Sequence, residues 1–216
     1  MSDKKISKRL QIIEVALQLF MEKGYEHTTI NDILRKAEVS KGGMYHYFQS
    51  KEEILDVVIH HIIDEDLARF ETILQDDSLS AVEKFQHLFI QSEAKPEDIV
   101  KIAEQSMQRT DSLFHYRSLE LSKARTIPVI VRVIEQGITE GEMKTDYPEE
   151  MAEICYTLTN TLLAEASDGM SDEAYERRVA AFLHVISHSL QISMEPLSPI
   201  KESMLRLLAV KKEISR

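Results

Sequence analysis

Ser40, Lys41, Gly42, Gly43, Tyr45 and His46 fall within seven residues of one another. Ser40 is a good helix cap, and the helix it would start opens on Lys41-Gly42-Gly43. A lysine beside the unpaired N–H groups of a helix start attracts phosphate through charge and hydrogen bonding together. Two glycines in a first turn cost roughly 1 kcal/mol each relative to alanine, so their bare backbone implies close approach by another surface. Tyr45 and Tyr47 add one phenolic donor and one packing ring, with Tyr47 and Phe48 expected to pack under the first helix.

Other chemistry-bearing residues lead less far. His60-His61 are adjacent and so point about 100° apart on a helix. His184 and His188 stand at i,i+4 but supply two of the four ligands that a closed zinc site needs, so no metal is expected. Serine, histidine and aspartate occur without a nucleophile elbow, a glycine-rich phosphate loop or a paired catalytic motif. No catalytic residue, no cofactor and no enzyme activity are expected.

The elements that position the first group can be read directly. Residues 28–55 form two short helices joined by a tight turn and followed by the capped start of a third. Ile30, Ile33, Leu34 and Ala37 recur at helical spacing, and Glu38-Val39 carries the turn. Thr29-x-x-Asp32 and Ser50-x-x-Glu53 have the form of capping boxes, the second before the apolar run Ile54, Leu55, Val58, Ile62. Before them, Ser7 to Lys23 reads as a helix with Leu10, Ile13, Leu17 and Phe20 on one face and Gly24 as its stop.

The remainder reads as helices too. They are placed at Lys51 to about Leu74, Ser80–Gln91, Pro96–Gln108, about Asp111–Glu140 with a kink or break at Pro128, Pro148–Ala166, Ser171–Ile192 and Pro199–Lys212. With 43% apolar residues, 6 Gly and 5 Pro in 216 residues, too few breakers are present for an all-β fold. The fold class expected is all-α, with a helix-turn-helix module in residues 1–50 and a larger helical domain in residues 51–216.

The formal charge of −11 is unevenly spread. Residues 1–51 hold 9 Lys and Arg against 6 Asp and Glu, a local +3, and the rest carries −14. Screening within about 8 Å at physiological salt lets the basic end meet DNA despite the acidic body. A single cysteine, Cys155, excludes an intramolecular disulfide. The longest uncharged stretch, Val179 to Met194, is 16 residues with two histidines and three serines, too short and polar for a membrane span. No secretory h-region is present near the amino terminus, and a cytoplasmic location is the default expectation.

Gly24 and Tyr25, then Thr29, Ile30, Asp32, Ile33, Ala37, Val39, Ser40, Lys41, Gly42, Tyr45, Tyr47, Phe48, Ser50, Lys51, Glu52 and Leu55, resemble the signature of the tetracycline-repressor (TetR) family of bacterial transcription regulators. The resemblance covers roughly residues 7–60. It implies a three-helix DNA-binding domain, a larger helical domain that dimerises and holds a small effector, and repression relieved by that effector. It also implies that Thr29 caps the second helix beside the phosphate backbone. Lys41, Gly42 and Gly43 would open the recognition helix over base edges, while Tyr45, His46 and Lys51 reach phosphates.

One helix-turn-helix reads few base pairs, so a homodimer on a palindromic operator is expected. Ile154, Leu158, Leu162 and Leu163, with Val179, Phe182, Leu183, Ile186 and Leu190, are apolar over more than one stripe and would supply both a core and a dimer face. In the resembled family the last two main helices build a four-helix bundle across the dimer axis. Met107, Phe114, Tyr116, Tyr156 and Asn160 are candidate pocket-lining residues for an effector of unknown identity, with ordinary core packing as the competing role. Glu104, Glu120 and Glu165 would favour a cationic effector if they faced inward, although carboxylates usually face solvent. The competing function is a DNA-bound architectural or partner-recruiting protein that holds no small molecule.

Overall fold

The computed structural model describes the backbone of residues 2–90, 112–165 and 170–214. Among these, no strand occurs. The helices are α1 (Ser2–Lys23), α2 (Ile30–Lys36), α3 (Lys41–Tyr45), α4 (Lys51–Leu74), α5 (Ala81–Phe89), α6 (Ser112–Glu140), α7 (Pro148–Glu165), α8 (Asp172–Leu190) and α9 (Ser198–Ile214), with a 3₁₀ turn at Glu195–Leu197. The helix expected at Pro96–Gln108 lies outside the described residues, as do Met107, Glu104 and the side chains of Phe114, Leu163 and Glu165.

The chain divides into two compact units, Met1–Glu65 with Gln108–Ser122, and Asp66–Met107 with Lys123–Arg216. Both α4 and α6 pass from one unit into the other.

In the first unit, Ile12, Ile13, Ala16, Leu19 and Phe20 of α1 are buried with Ile33, Ala37, Met44, Phe48, Ile54, Leu55 and Val58. The buried face of α1 is therefore rotated from the expected one. Leu10 is 38% exposed and Leu17 only half-buried, because the adjacent pairs Ile12-Ile13 and Leu19-Phe20 set the stripe. Gly24 ends α1 at φ +83°, where its N–H bonds to Phe20 O at 2.9 Å.

In the second unit the core gathers Phe85 and Phe89 of α5, Val133 and Ile134 of α6, Cys155 of α7 and Phe182 and Ile186 of α8. Phe89 meets Phe85 and Phe182 at centroid distances of 4.8 and 6.5 Å. The buried Lys84 donates to Leu74 O at 2.9 Å and Gln136 Oε1 at 3.2 Å, tying α5 to the end of α4 and to α6. Of the kink or break expected at Pro128, the break does not occur: α6 is one helix of 29 residues. Proline removes a single N–H donor, to the Ala124 carbonyl, and the turns on either side are long enough to hold the helix.

Candidate nucleic-acid interface

The turn between α2 and α3 is built by backbone geometry. Glu38 sits at φ +52°, and Val39 N–H bonds to Leu34 O at 3.1 Å while Ala37 N–H bonds to Ile33 O at 2.8 Å. The Val39 bond spans six residues as in a Schellman closure, with glutamate in the left-handed position that glycine usually takes. It turns the chain so that Ser40 caps α3 at once, its Oγ accepting from Gly43 N–H at 3.1 Å.

The leading N–H groups of α3 therefore belong to Lys41 and Gly42, because Gly43 N–H is already bonded to the cap. Lys41 and Gly42 are both exposed, and a Cβ added at Gly42 would meet nothing within 4 Å. A Cβ at Gly43 would meet Ser40 Oγ and Val39 Cγ1 at 3.1 Å, so a side chain there would press on the cap. The fold places no such demand on Gly42. Lys41 has no carboxylate partner among the described residues, and its Nζ lies 6.0 Å from the Tyr45 ring centroid.

Tyr45 is 38% exposed and His46 is exposed beside it. Phe48 is fully buried beneath the Arg9 guanidinium, 5.4 Å from its ring centroid, and Tyr47 is half-buried with its ring 5.1 Å from that of His46. The packing expected of Tyr47 and Phe48 is thus present, complete for Phe48 and partial for Tyr47.

The start of α2 is fixed by Asp32. Its carboxylate accepts from the Thr29 N–H at 3.0 Å and the Thr29 hydroxyl at 2.7 Å, while Thr29 Oγ1 accepts Asp32 N–H at 3.1 Å. Lys23 of α1 reaches Asp32 at 2.6 Å, and Arg35 reaches the same carboxylate at 3.1 Å. The Lys23 hydrogen bond, followed by those from Thr29, holds the carboxyl far below its ordinary 3.8. Thr29 is exposed, but both its donors are used within the capping box, which leaves the helix-end amides of Ile30 and Asn31 to face outward.

Sequence spacing signals the Thr29–Asp32 box. It gives no sign of Lys23 across nine residues, nor of the Lys36–Glu22 pair at 2.9 Å. Lys23 and Arg35 thereby share Asp32, and Lys36 pairs with Glu22. Lys41, by contrast, has no ion pair among the described residues.

Thr29, Ser40, Lys41, Gly42, Gly43, Tyr45 and His46 all belong to the first unit, at the starts of α2 and α3 and the end of α3. Lys51 is different, since its ammonium turns toward the connector between α1 and α2.

Of the candidate pocket residues, Tyr116 is 63% exposed, Tyr156 is 7% exposed, and Asn160 donates within α7 to Tyr156 O at 2.9 Å. Glu120 is exposed. Among the described residues, no three His, Cys, Asp or Glu side chains gather as a metal ion would require. His184 and His188 are exposed with ring centroids 4.8 Å apart. Burial pushes the Cys155 thiol up to about 12. No described helix is long and apolar enough to cross a membrane.

A short helix opened by Lys41 and Gly42 and joined to α2 by the Glu38 turn has the form of a helix-turn-helix. Residues 12–58 match the bacterial regulatory proteins of the tetR family. The transcriptional repressor KstR2 of Mycobacterium tuberculosis is 32% identical over 143 residues, 65% of this chain and 71% of the repressor. The transcriptional repressor AcnR of Corynebacterium glutamicum is 27% identical over 161 residues, 74% of this chain and 80% of that protein. A TetR-family regulator from Pectobacterium atrosepticum superposes with a TM-score of 0.64 at 20% identity, covering 88% of this chain and 97% of the other, which shows a shared fold.

The chain belongs to the tetR family of bacterial regulatory proteins. It is a DNA-binding regulator of transcription, all-helical, with an amino-terminal helix-turn-helix module and a larger helical carboxy-terminal domain.

Proposed function

We propose that the protein is a cytoplasmic homodimeric repressor that holds a palindromic operator through α3 and releases it when a small molecule enters the carboxy-terminal domain. Residues 1–50 are assigned the DNA contact, and residues 51–216 the dimer face and effector. The observation that carries the DNA reading is the open space over Gly42 beside the unpaired Lys41.

In this reading the amides of Lys41 and Gly42, with Gly43 behind them, approach the groove floor. Tyr45 and His46 reach backbone phosphates, and the start of α2 at Thr29 lies along the same backbone. Ser40 acts through its cap.

The dimer reading is supported by apolar side chains left uncovered on α7 and α8. Ile154 and Val185 are each 42% exposed and Leu158 is half-buried, whereas Leu162, Val179, Phe182, Leu183, Ile186 and Leu190 are inside the core. The outward apolar face is thus narrower than the sequence pattern promised, and Val185 joins it.

The release step is a displacement of α6 that carries α4 with it. Two Arg–carboxylate pairs between these helices support it, Arg117 with Asp56 and Arg132 with Glu71. Tyr156 and Asn160 are the described residues assigned to an effector pocket, with Met107, Phe114 and Tyr116 as the further candidates.

Selection of random duplexes by the purified protein, followed by sedimentation of the complex, tests the operator reading. Two chains on a two-fold symmetric site are expected, and a monomer that retains no duplex would reject it. A metabolite screen by thermal shift tests the effector, because a ligand of the folded state raises the melting temperature by mass action.

A further inference from the structure

Lys51 opens α4, yet its charge is turned into the protein. Nζ donates to Tyr25 O at 2.8 Å and to Thr28 O at 3.0 Å, and it lies 4.0 Å from the centroid of the Tyr25 ring. An ammonium has three N–H donors. Two carbonyls occupy two of them, and the ring face attracts the remaining positive charge. The Tyr25 ring is 3% exposed and Lys51 itself is half-buried, so this cradle is a built part of the fold.

The cradle is made by the α1–α2 connector. Thr28 Oγ1, almost fully buried, donates to Gly24 O at 2.7 Å and lies 3.2 Å from Leu19 O, which anchors the connector to the end of α1. Lys51 anchors it from the other side to α4. The next residue is Thr29, the cap of α2, whose box with Asp32 starts the helix that the Glu38 turn joins to α3.

We infer that Lys51 is a positioning residue. It fixes the Tyr25–Thr28 connector, and through it the attitude of α2 and α3 at the DNA, and does not itself neutralise a phosphate. To swing outward, the ammonium would leave two carbonyls without their donor and vacate the face of a buried ring. A phosphate contact made at that expense gains little. The inference rests on the DNA-binding reading for its consequence, while the clamp itself is testable without DNA.

The test uses the full chain. Lys51→Met keeps the apolar stem and removes the ammonium; Lys51→Arg keeps the charge but replaces a compact three-donor group with a planar fork that does not fit the same cradle. Hydrogen exchange of the free protein reads the connector. Fluorescence anisotropy, at temperatures where each variant is folded, reads binding to a generic duplex and to the duplex selected from random sequence.

Faster exchange at residues 28–33 is expected in both variants. Operator affinity should fall about tenfold in both, roughly 1.4 kcal/mol at 25 °C. The slope of log affinity against log salt on generic DNA should equal that of the parent in Lys51→Met.

A slope smaller by about 0.9 in Lys51→Met, the signature of one lost phosphate contact, would overturn the inference. So would parent-like operator affinity and parent-like connector exchange in Lys51→Arg, a result that decides the matter even if Lys51→Met does not fold. A parent protein that binds no duplex would instead defeat the DNA reading, and the exchange measurement would still report on the clamp.

Discussion

Arg117 of α6 grips Asp56 of α4 with one nitrogen, Nη1, which lies 2.5 Å from Oδ1 and 2.7 Å from Oδ2. The same two helices are joined again in the second unit by Arg132 and Glu71, at 2.9 and 3.3 Å, with the same sequence offset of 61 residues. Each pair thus ties α6 to α4 within its own unit.

The Asp56–Arg117 side chains are 36% and 40% exposed, so water and salt weaken the pair. A double-mutant cycle with Asp56→Asn and Arg117→Met, followed by urea unfolding, should give a coupling of about 0.5–1 kcal/mol that shrinks in high salt. A coupling of zero at low salt would remove this pair from the α4–α6 linkage. If the linkage transmits release, each single variant should also show a smaller loss of operator affinity on adding whichever compound the thermal screen identifies.

Acid should loosen the start of α2 through Asp32. Its carboxyl is held far below 3.8 by Lys23 and Thr29, so the folded state releases this proton more readily than the unfolded chain. The stabilisation is complete above about pH 4 to 5 and is lost as pH falls below 3.8 toward the depressed value. Melting temperature against pH should therefore fall less steeply below pH 4 in Asp32→Asn than in the parent, from a lower starting value near neutrality. Parallel curves would show that the Asp32 cluster adds no net stability.

Gly42 separates stability from function. With nothing within 4 Å of its missing Cβ, Gly42→Ala should raise stability by up to about 1 kcal/mol, as helix propensity dictates. On the operator the same methyl group would stand between the α3 backbone and the groove, and affinity should drop by at least about tenfold. Urea melts and anisotropy titrations of one variant check both signs. An alanine variant that binds the operator like the parent would mean the glycine is not there for the DNA.

Lys41 gives the electrostatic counterpart. Lys41→Ala should weaken operator and generic duplexes alike and reduce the salt slope by about one, because its ammonium has no internal carboxylate to satisfy. An unchanged slope would show that Lys41 stays over the Tyr45 ring when DNA is bound.

The architecture of this chain was largely legible because its signals are local. Helix starts announce themselves by a cap and a carboxylate three residues on, and the box at Thr29–Asp32 closes as that spacing predicts. At Ser50 the return bond from Glu53 goes to Gln49 N–H, one residue earlier than a capping box requires, while Lys51 to Leu74 still forms as read. What the pattern could not show is where a long side chain goes once the helices pack. Lys51, Lys23 and Arg117 find partners 26, 9 and 61 residues away, and no periodicity encodes those distances. The apolar residues of α8 misled for a related reason. Periodicity reports that a stripe is buried, and the stripe from Val179 to Leu190 lies within the chain's own core, leaving Val185 outside it.

Glu38 offers a last test of how tightly the turn before α3 is set. The left-handed conformation at φ +52° costs an L-residue roughly 1–2 kcal/mol, which glycine does not bear. Glycine loses more backbone entropy on folding, by roughly 0.5–1 kcal/mol, so the net gain from Glu38→Gly should be about 0.5–1 kcal/mol in urea unfolding. Because the closing bond from Val39 N–H to Leu34 O is made by backbone alone, the substitution should keep the direction of α3. Operator affinity should then stay within about twofold of the parent, a change of about 0.4 kcal/mol. A stabilised variant that has lost the operator would instead show that the Glu38 side chain, exposed beside α3, takes part in setting the DNA-facing surface.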